Sequence, residues 1–392
     1  MKKILQYTFI FGILAVLLLS LMKTVFFPEE INHYENRYAE KMIAPNVQTV
    51  LNKEFQESVD AALSDQIFGA ETIKRCYNAF TTNYLHTILD PIRKKYPNRY
   101  FAVDEKLLYG DYILYHPIAL EEIKEELDNK IEGLNQSFAN HPEIDFHTYY
   151  IEKDTDINFE TNEQSGIYEY LKSRLHLPKD HIGVFEENSF ESYSEQFYRT
   201  DHHWNAVGSY MAYCQILKQL KPEEQPIEPM EMVYVGEMSG SKAKGKLSGF
   251  SESFEAYRFD YPPMTIKING EVVDDYGNQQ TFLNHDTPDY LSYGTFYGGD
   301  PGEVIFDSGT HGRGSILVVG ESHDNAILKL LASHYDTTYA VDLRNYEHYA
   351  GKAFSFAEHI EAHPIDTVLL IGSVSYYRMP EFLLEGRENG VQ

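Results

Sequence analysis

The sequence predicts an α/β protein with a doubly wound parallel sheet, carried behind one N-terminal transmembrane helix. The first observation is that the last third of the chain alternates apolar strands with helices three times, the repeating unit of a parallel sheet covered on both faces. A helix followed by an apolar strand also occurs earlier, at 118–151. The third observation is a long apolar run close to the N-terminus.

The N-terminal segment, 1–27, predicts a membrane anchor. Lys2 and Lys3 precede an apolar run over 4–22, and a helix of that length spans about 28 Å, close to the hydrocarbon thickness of a bilayer. No small-x-small cleavage pattern follows the run, which favours an uncleaved anchor over a cleaved signal peptide. The lysines predict that the N-terminus stays inside and that 28–392 lies outside the cytoplasmic membrane.

The remaining elements follow from apolar spacing along the predicted extracytoplasmic domain, 28–392. An irregular, β-rich insertion rich in Pro, Gly, Tyr and Asp interrupts the pattern at about 221–314. In chain order we expect a helical region at 47–89, a strand pair at 99–110, a helix at 118–140, a strand at 145–151, a helix at 205–220, a strand at 315–320, a helix at 325–333, a strand at 337–343, a helix at 352–362 and a strand at 366–372.

Composition argues against nucleic acid as a partner and does not decide whether the two cysteines form a disulfide. With 60 acidic against 33 basic residues and a net charge of −27, the chain is not expected to bind nucleic acid. Cys76 and Cys214 could form a disulfide in an exported protein, but the sequence does not show that they approach each other. Two free thiols are equally compatible with the pattern.

A serine lies at the sharpest junction between a predicted strand and a helix. In SILVVGESHDNAI, 315–327, the strand ends at Gly320 and Ser322 falls on the turn before the helix. Such a turn exposes a hydroxyl and points backbone N–H groups at whatever binds there, which suits an oxyanion. The alternative is that Ser322 only caps the helix.

A base and its orienting group occur together in DHHW, 201–204. In an extended loop, residues two apart point the same way, so Asp201 could orient the imidazole of His203 toward a serine while His202 points elsewhere. A metal site is the competing interpretation, but adjacent histidines rarely reach one ion and no H-E-x-x-H or C-x-x-C motif completes a ligand set. We therefore expect neither a metal nor a cofactor.

The two motifs together resemble a known family. DHHW followed by N-x-x-G-x-Y and a helix is similar to the signature of bacterial DHHW proteins, in the alginate O-acetyltransferase-like branch of the SGNH hydrolase superfamily. The segment 321–346 resembles the family's D-S-Y-A-N block and the D-x-R-Y segment that ends it. ENR at 35–37 and DQIFGAETIKR at 65–75 resemble its N-terminal elements.

The resemblance implies a flavodoxin-like, three-layer SGNH hydrolase-like fold and a Ser-His-Asp triad. By matched position, Ser322 would be the nucleophile, His203 the general base and Asp201 its orienting group. Two positions depart from the family pattern: Glu321 stands where Asp is usual, and His323 where Tyr is frequent.

Four further residues are candidates for substrate binding or for the oxyanion site. Asn325, Arg344 and Tyr346 match family positions near the site, and Arg344 could contact an anionic group of the acceptor or form a structural ion pair. Trp204 is expected to pack under the DHHW loop, with sugar stacking as the alternative.

The function that this resemblance implies is O-acyl transfer to an exported or cell-wall polysaccharide, with acetyl as the expected acyl group. The family further implies a multispanning membrane partner that supplies the acyl donor. Two alternatives remain open: a carbohydrate esterase with the same triad, and a non-catalytic polysaccharide-binding or assembly protein.

Overall fold

The computed structural model describes residues 2–32, 37–243, 247, 249–284 and 291–379. Glu35 and Asn36 of the ENR segment lie outside the described residues. The chain divides into two compact units, Met1–Ile92 with Ala243–Phe250, and Arg93–Lys242 with Ser251–Gln392. The predicted domain over 28–392 therefore contributes to both units.

The first unit is helical. It begins with α1, the one helix among the described residues with the length and apolar composition to cross a membrane, over Gln6–Phe26. The predicted helical region at 47–89 is three helices, because Lys53 (φ 71°) and Gly69 (φ 76°) adopt left-handed backbone conformations between them. The elements are α1 Lys2–Phe26, β1 Ile31–Asn32, β2 Arg37–Tyr38, α2 Val47–Leu51, α3 Glu54–Gln66 and α4 Ala70–Lys95, whose last residues enter the second unit.

The second unit contains the remaining elements, and the α/β class predicted from the sequence is confirmed. Its strands are β3 Phe101–Val103, β4 Lys106–Tyr109, β5 Tyr112–Leu114, β6 Asp145–Ile151, β7 Ile157–Asn158, β8 Glu163–Gln164, β9 Ile182–Phe185, β10 Glu231–Met238, β11 Glu252–Arg258, β12 Thr265–Ile268, β13 Glu271–Val273, β14 Glu303–Asp307, β15 Ser315–Gly320, β16 Thr337–Val341 and β17 Thr367–Gly372. Its helices are α5 Leu120–Asn140, α6 Ile167–Arg174, α7 Phe190–Gln196, α8 Ala206–Leu220, α9 Gln279–Leu283, α10 Tyr293–Tyr297, α11 Leu328–Ala332, α12 Leu343–Ala350, α13 Phe356–Ala362 and α14 Val374–Arg378.

An eight-stranded sheet organises this unit, in the order β13-β12-β14-β16-β15-β17-β6-β9. The strands from β16 to β9 run parallel. The insertion is more regular than its composition predicts, because β12, β13 and β14 extend the sheet in antiparallel fashion and β10 pairs with β11 as a separate hairpin. The predicted helix at 325–333 is instead a 3-10 turn, Asp324–Ala326, followed by the short α11.

The core lies on both faces of this sheet. Along β15, Ile316 and Val318 pack into the cluster that contains α8, whereas Leu317 and Val319 pack into the cluster that contains α5 and α14. Because successive side chains of a strand point to opposite faces, burial on both faces explains why the strand is apolar throughout.

The structure leaves both cysteines unpaired and aligns the carboxyl ends of three parallel strands. Cys76 and Cys214 are both free thiols. In the sheet register, Gly320 at the end of β15 pairs with Ile371 of β17, and Gly372 pairs with Tyr150 of β6. The residues that follow these three strands therefore meet at one edge, which is where ligands bind in open α/β sheets.

Candidate active site

The turn that carries Ser322 is fixed by close packing at the carboxyl end of β15. A Cβ added to Gly320 would lie 2.1 Å from Asp324 Oδ2 and 2.9 Å from Ile371 Cγ2, so only glycine fits there. The Glu321 carboxylate accepts a hydrogen bond from the Ser373 N–H at 2.6 Å, which ties the turn to the end of β17. Glu321, one of the two departures from the family pattern, thus has a structural partner.

The DHHW loop connects α7 to α8 and is closed on itself. The Tyr198 N–H donates to the His203 carbonyl at 3.2 Å, and the Asn205 N–H donates to the Gln196 carbonyl at 2.8 Å. Asn205 then caps α8, since its side chain accepts the N–H groups of Val207 and Gly208. Backbone hydrogen bonds and the Asn205 cap therefore hold both ends of the loop.

Asp201, His203 and Ser322 lie together in hydrogen-bonding order. His203 Nδ1 lies 2.5 Å from Asp201 Oδ1, and His203 Nε2 lies 2.7 Å from Ser322 Oγ, across 119 residues of sequence. Although burial opposes ionisation, the adjacent His203 holds the pKa of Asp201 well below its usual value. The ionised carboxylate accepts a hydrogen bond from Nδ1–H of His203. The proton is thereby kept on Nδ1, and Nε2 can accept a hydrogen bond from the serine hydroxyl.

The rings around His203 keep it in place and stay neutral. The His203 ring stacks on Tyr293 with centroids 3.7 Å apart and planes 3° apart. The neighbouring His202 bonds to Ser241 Oγ through Nδ1 at 2.6 Å, and its carbonyl accepts from His323 Nε2 at 3.2 Å. Burial holds the pKa values of His202 and His323 well below the usual range, so neither ring brings a competing positive charge.

A segment that the sequence did not reveal, the strap 240–242, supports the other side of Asp201. The Ser241 N–H donates to Asp201 Oδ2 at 2.6 Å, and the Lys242 N–H donates to the Thr200 carbonyl at 2.9 Å. The Lys242 side chain is fully buried, where its ammonium contacts Asp154 Oδ2 at 2.6 Å. This ion pair fixes the strap beneath the carboxylate.

Glu252, also missed in the sequence, fixes Thr200, the residue before Asp201. Its carboxylate accepts from the N–H of Arg199 at 2.8 Å and from the N–H and hydroxyl of Thr200 at 2.7 and 2.5 Å. These three bonds tie the entry of the DHHW loop to the start of β11.

Three of the four further candidates have structural partners. Asn325 donates both amide hydrogens, to the Gly299 carbonyl at 2.6 Å and to Asp300 at 3.1 Å, so in this conformation it has none left for an oxyanion. Arg344 forms ion pairs with Asp342 and Asp300. Tyr346 packs edge-on against Phe354 with ring centroids 5.1 Å apart.

The fourth candidate, Trp204, is fully buried and packs edge-on against Phe185 and His323 at centroid distances of 5.7 and 5.6 Å. A sugar could stack on this ring only if the loop opened. In this conformation its contacts are with other buried rings.

Two backbone N–H groups lie at the turn that carries Ser322. Among the described residues, the N–H groups of Ser322 and His323 have no hydrogen-bond acceptor, so they are available to an oxyanion.

Lys153 follows β6 at the same sheet edge and is 3 % exposed, yet it forms no ion pair with the described part of the chain. After burial itself, the charge of Lys153 is the largest contribution to the low pKa of His323. Sequence periodicity could not single it out, because it sits in a polar run.

The contacts of His203 also bear on the metal interpretation of the DHHW loop. Possible ligand atoms of Asp201, His202 and His203 lie within 4.8 Å of one another. However, His203 uses one ring nitrogen on Asp201 and the other on Ser322, so a metal would have to displace the serine contact.

Comparisons with known proteins agree with this architecture. Residues 146–341 match the model of the family described as DHHW protein, which covers half of the chain. The structure of PatB1 from Bacillus cereus with a sulfonyl adduct aligns with a TM-score of 0.56 at 19% identity, covering 74% of this chain and 99% of that chain. A DHHW family protein from Eubacterium siraeum aligns with a TM-score of 0.54 at 14% identity, covering 72% and 95%. No curated protein matches the sequence. The predicted SGNH-like fold is confirmed by these likenesses.

Proposed function

The chain belongs to the DHHW family, and on that premise we propose that it is an O-acetyltransferase acting on an exported or cell-wall polysaccharide. The observation that carries the proposal is the unbroken contact from Asp201 through His203 to Ser322, at 2.5 and 2.7 Å. That contact is the arrangement that activates a serine hydroxyl as a nucleophile.

In the first half-reaction, Ser322 Oγ attacks the carbonyl carbon of an acetyl donor while His203 Nε2 takes the hydroxyl proton. The resulting imidazolium is stabilised by Asp201, and the tetrahedral oxyanion accepts from the N–H groups of Ser322 and His323. When the intermediate collapses, the leaving group takes the proton from His203 and an acetyl ester remains on Ser322.

In the second half-reaction, a sugar hydroxyl gives its proton to His203 and attacks the acetyl-serine carbonyl. Collapse breaks the ester bond to Ser322 Oγ, which recovers the proton from His203. An esterase would run the same steps with water in place of the sugar. The distinction therefore depends on the acceptor, not on the triad.

The proposed topology places this chemistry outside the cytoplasmic membrane. Helix α1 serves as a single-pass anchor, with Lys2 and Lys3 on the inner side. A donor made inside the cell would then need a multispanning membrane partner to pass the acetyl group outward. The anchor keeps the domain close to such a partner.

The test uses the full chain in detergent with p-nitrophenyl acetate and phenylmethylsulfonyl fluoride. We expect Ser322→Ala and His203→Ala to lower p-nitrophenol release by at least about 10³-fold, and the sulfonyl adduct of wild type to map to Ser322. Ser373→Ala is the matched control, since Ser373 also lies just after a strand at this edge of the sheet, and it should keep both activities.

Oligosaccharide distinguishes the functions. Acceleration of release by added oligosaccharide supports transfer, whereas release that ignores the sugar identifies an esterase. If wild type neither turns over nor forms an adduct, the proposal is wrong and the binding or assembly function takes its place.

A further inference from the structure

Three clusters of histidine and carboxylate side chains bring possible metal ligands within 4.8 Å of one another. One is the triad loop. The second, here the β6 cluster, consists of Asp145, His147 and His181, and the third, here the α13 cluster, consists of Glu303, His359 and His363. The α13 cluster is made entirely of residues outside the proposed active site.

The α13 cluster has the spacing of a metal site. His359 lies in α13, and His363, four residues later, is the extended residue that ends this helix. Their ring centroids are 4.8 Å apart, close to the ~5 Å expected for two imidazoles that share one ion at tetrahedral angles. Glu303, the first residue of β14, places Oε1 4.0 Å from His359 Nδ1.

The imidazole nitrogens of the α13 cluster are uncommitted. His359 is 5 % exposed, and its Nε2 is buried without a hydrogen-bond partner in the described structure. The His363 ring likewise has no hydrogen bond to any described residue, and its neighbours are the Tyr339 and His359 rings. Neither imidazole is fixed by a hydrogen bond, so each can present a nitrogen to an ion bound beside Glu303.

The β6 cluster differs because both of its histidines already form hydrogen bonds. His147 accepts from Gln219 Nε2 at 3.2 Å and bonds to Asp145 at 3.1 Å through its other nitrogen, while His181 Nδ1 bonds to the Phe146 carbonyl at 3.0 Å. These contacts fix both rings without a metal. The two clusters therefore have similar composition but opposite hydrogen-bonding states.

We propose that Glu303, His359 and His363 bind one divalent transition-metal ion, with Zn²⁺ the best match, and that the ion joins α13 to β14. Two imidazoles and one carboxylate are a recognised zinc set, with water in the fourth position. The Tyr339 ring covers both histidines, at 5.5 Å from His359 and 4.6 Å from His363, and forms an apolar outer shell.

The proposed site lacks the general base of the hydrolytic enzymes that share its histidine spacing. Metallohydrolases with two histidines in this spacing place a glutamate directly after the first one as general base. Here that position is Ile360, and the following Glu361 is exposed to solvent.

The experiment titrates the full chain in detergent, freed of metal by chelation, with Zn²⁺ against a chromophoric chelator and with Co²⁺ monitored by its visible absorption. We expect one ion per chain, bound with a dissociation constant below about 1 μM. His363→Ala and Glu303→Gln should each weaken binding at least tenfold. Circular dichroism of each metal-free variant establishes that the loss is not caused by unfolding.

His181→Ala in the β6 cluster is the matched control and should bind as wild type does. The proposal is overturned if wild type binds no ion at 10 μM Zn²⁺, roughly tenfold above that dissociation constant. It is also overturned if binding survives in His363→Ala and Glu303→Gln but is lost in His181→Ala or His202→Ala.

Discussion

At the scale of single residues, the Asp201 carboxylate is the group whose charge the site must stabilise against burial. It is 3 % exposed, and burial alone would favour its neutral form. Oδ1 accepts from the His203 ring and Oδ2 from the Ser241 N–H, at 2.5 and 2.6 Å. These bonds stabilise the charged form, and with it the tautomer of His203 that leaves Nε2 facing Ser322.

The dependence of the His203 tautomer on the Asp201 charge predicts the effect of Asp201→Asn. An asparagine can donate its amide to Nδ1, which would place the ring proton on Nε2 and leave no acceptor for the Ser322 hydroxyl. We expect kcat for p-nitrophenyl acetate to fall by about 10³- to 10⁴-fold, with a melting temperature close to that of wild type. A variant that keeps a tenth of the wild-type kcat would contradict the proposed role of Asp201.

The same residues show what local sequence could reveal. Asp201 and His203 are two positions apart, and Ser322 closes a strand-turn-helix pattern, so each was visible in a short window. The residues that hold Asp201 and its loop in place could not be identified from a short window of sequence. The contacts from Thr200 to Glu252, from Asp201 to Ser241 and from Asp154 to Lys242 join residues 52, 40 and 88 positions apart, through chain reversals that no local pattern encodes.

At the scale of elements, helix α8 explains why glycine follows the DHHW loop. Gly208 lies in the first turn, and a Cβ there would be 2.3 Å from the Gln196 carbonyl oxygen and 3.1 Å from Trp204 Cβ. The glycine therefore lets α8 approach the end of α7 closely enough to close the loop. Asn205, three residues earlier, caps the same turn.

Gly208→Ala should consequently destabilise the protein, although alanine is the better helix former by about 1 kcal/mol. The added methyl must displace a backbone carbonyl, which costs about 1–3 kcal/mol. We expect a lower melting temperature and lower turnover. Val207→Ala, at a more exposed position of the same turn, is the control and should change neither. An unchanged or higher melting temperature in Gly208→Ala would show that the helix has room to shift.

Element boundaries were predicted less well than element types. Strands β15 and β17 were found because burial on both faces gives a continuous apolar run, and β6 was found from its aromatic and β-branched residues. Strands β12, β13 and β14 have four, three and five residues, too few to show a period of two in a turn-rich segment. The spacing H-I-E-A-H at 359–363 was present in the sequence, but only the fold brings Glu303 beside it.

At the scale of the whole molecule, the second unit buries carboxylates that contribute nothing to the proposed triad. Glu187 is 0 % exposed, and neither of its carboxylate oxygens has a partner among the described residues. Its N–H donates to the carboxylate of Glu152 at 3.1 Å. Burial raises the pKa of Glu187 to about 8 and that of Glu152 to about 7. Both acids thus stay largely protonated in the folded protein under mildly acidic conditions.

These raised pKa values make folding stability fall as pH rises. In the unfolded chain a glutamate ionises near its usual value of 4.5, whereas folded Glu187 holds its proton until about pH 8. Over that window the unfolded state binds fewer protons than the folded state, so the free energy of unfolding decreases with pH. The stabilising difference is complete below about pH 4.5 and is lost as pH passes through 8.

Glu187→Gln should remove most of this dependence, because a neutral amide of similar shape has no proton to lose. We expect the variant to gain a few kcal/mol over wild type at pH 8 and to show a flatter melting temperature from pH 5 to 8. The measurement is thermal unfolding of the full chain in detergent across that range. Glu191→Gln, an exposed carboxylate in α7, is the matched control and should keep the wild-type slope. If Glu187→Gln and wild type lose stability in parallel, the buried acid at Glu187 does not set the pH response, and Glu152 becomes the group to test.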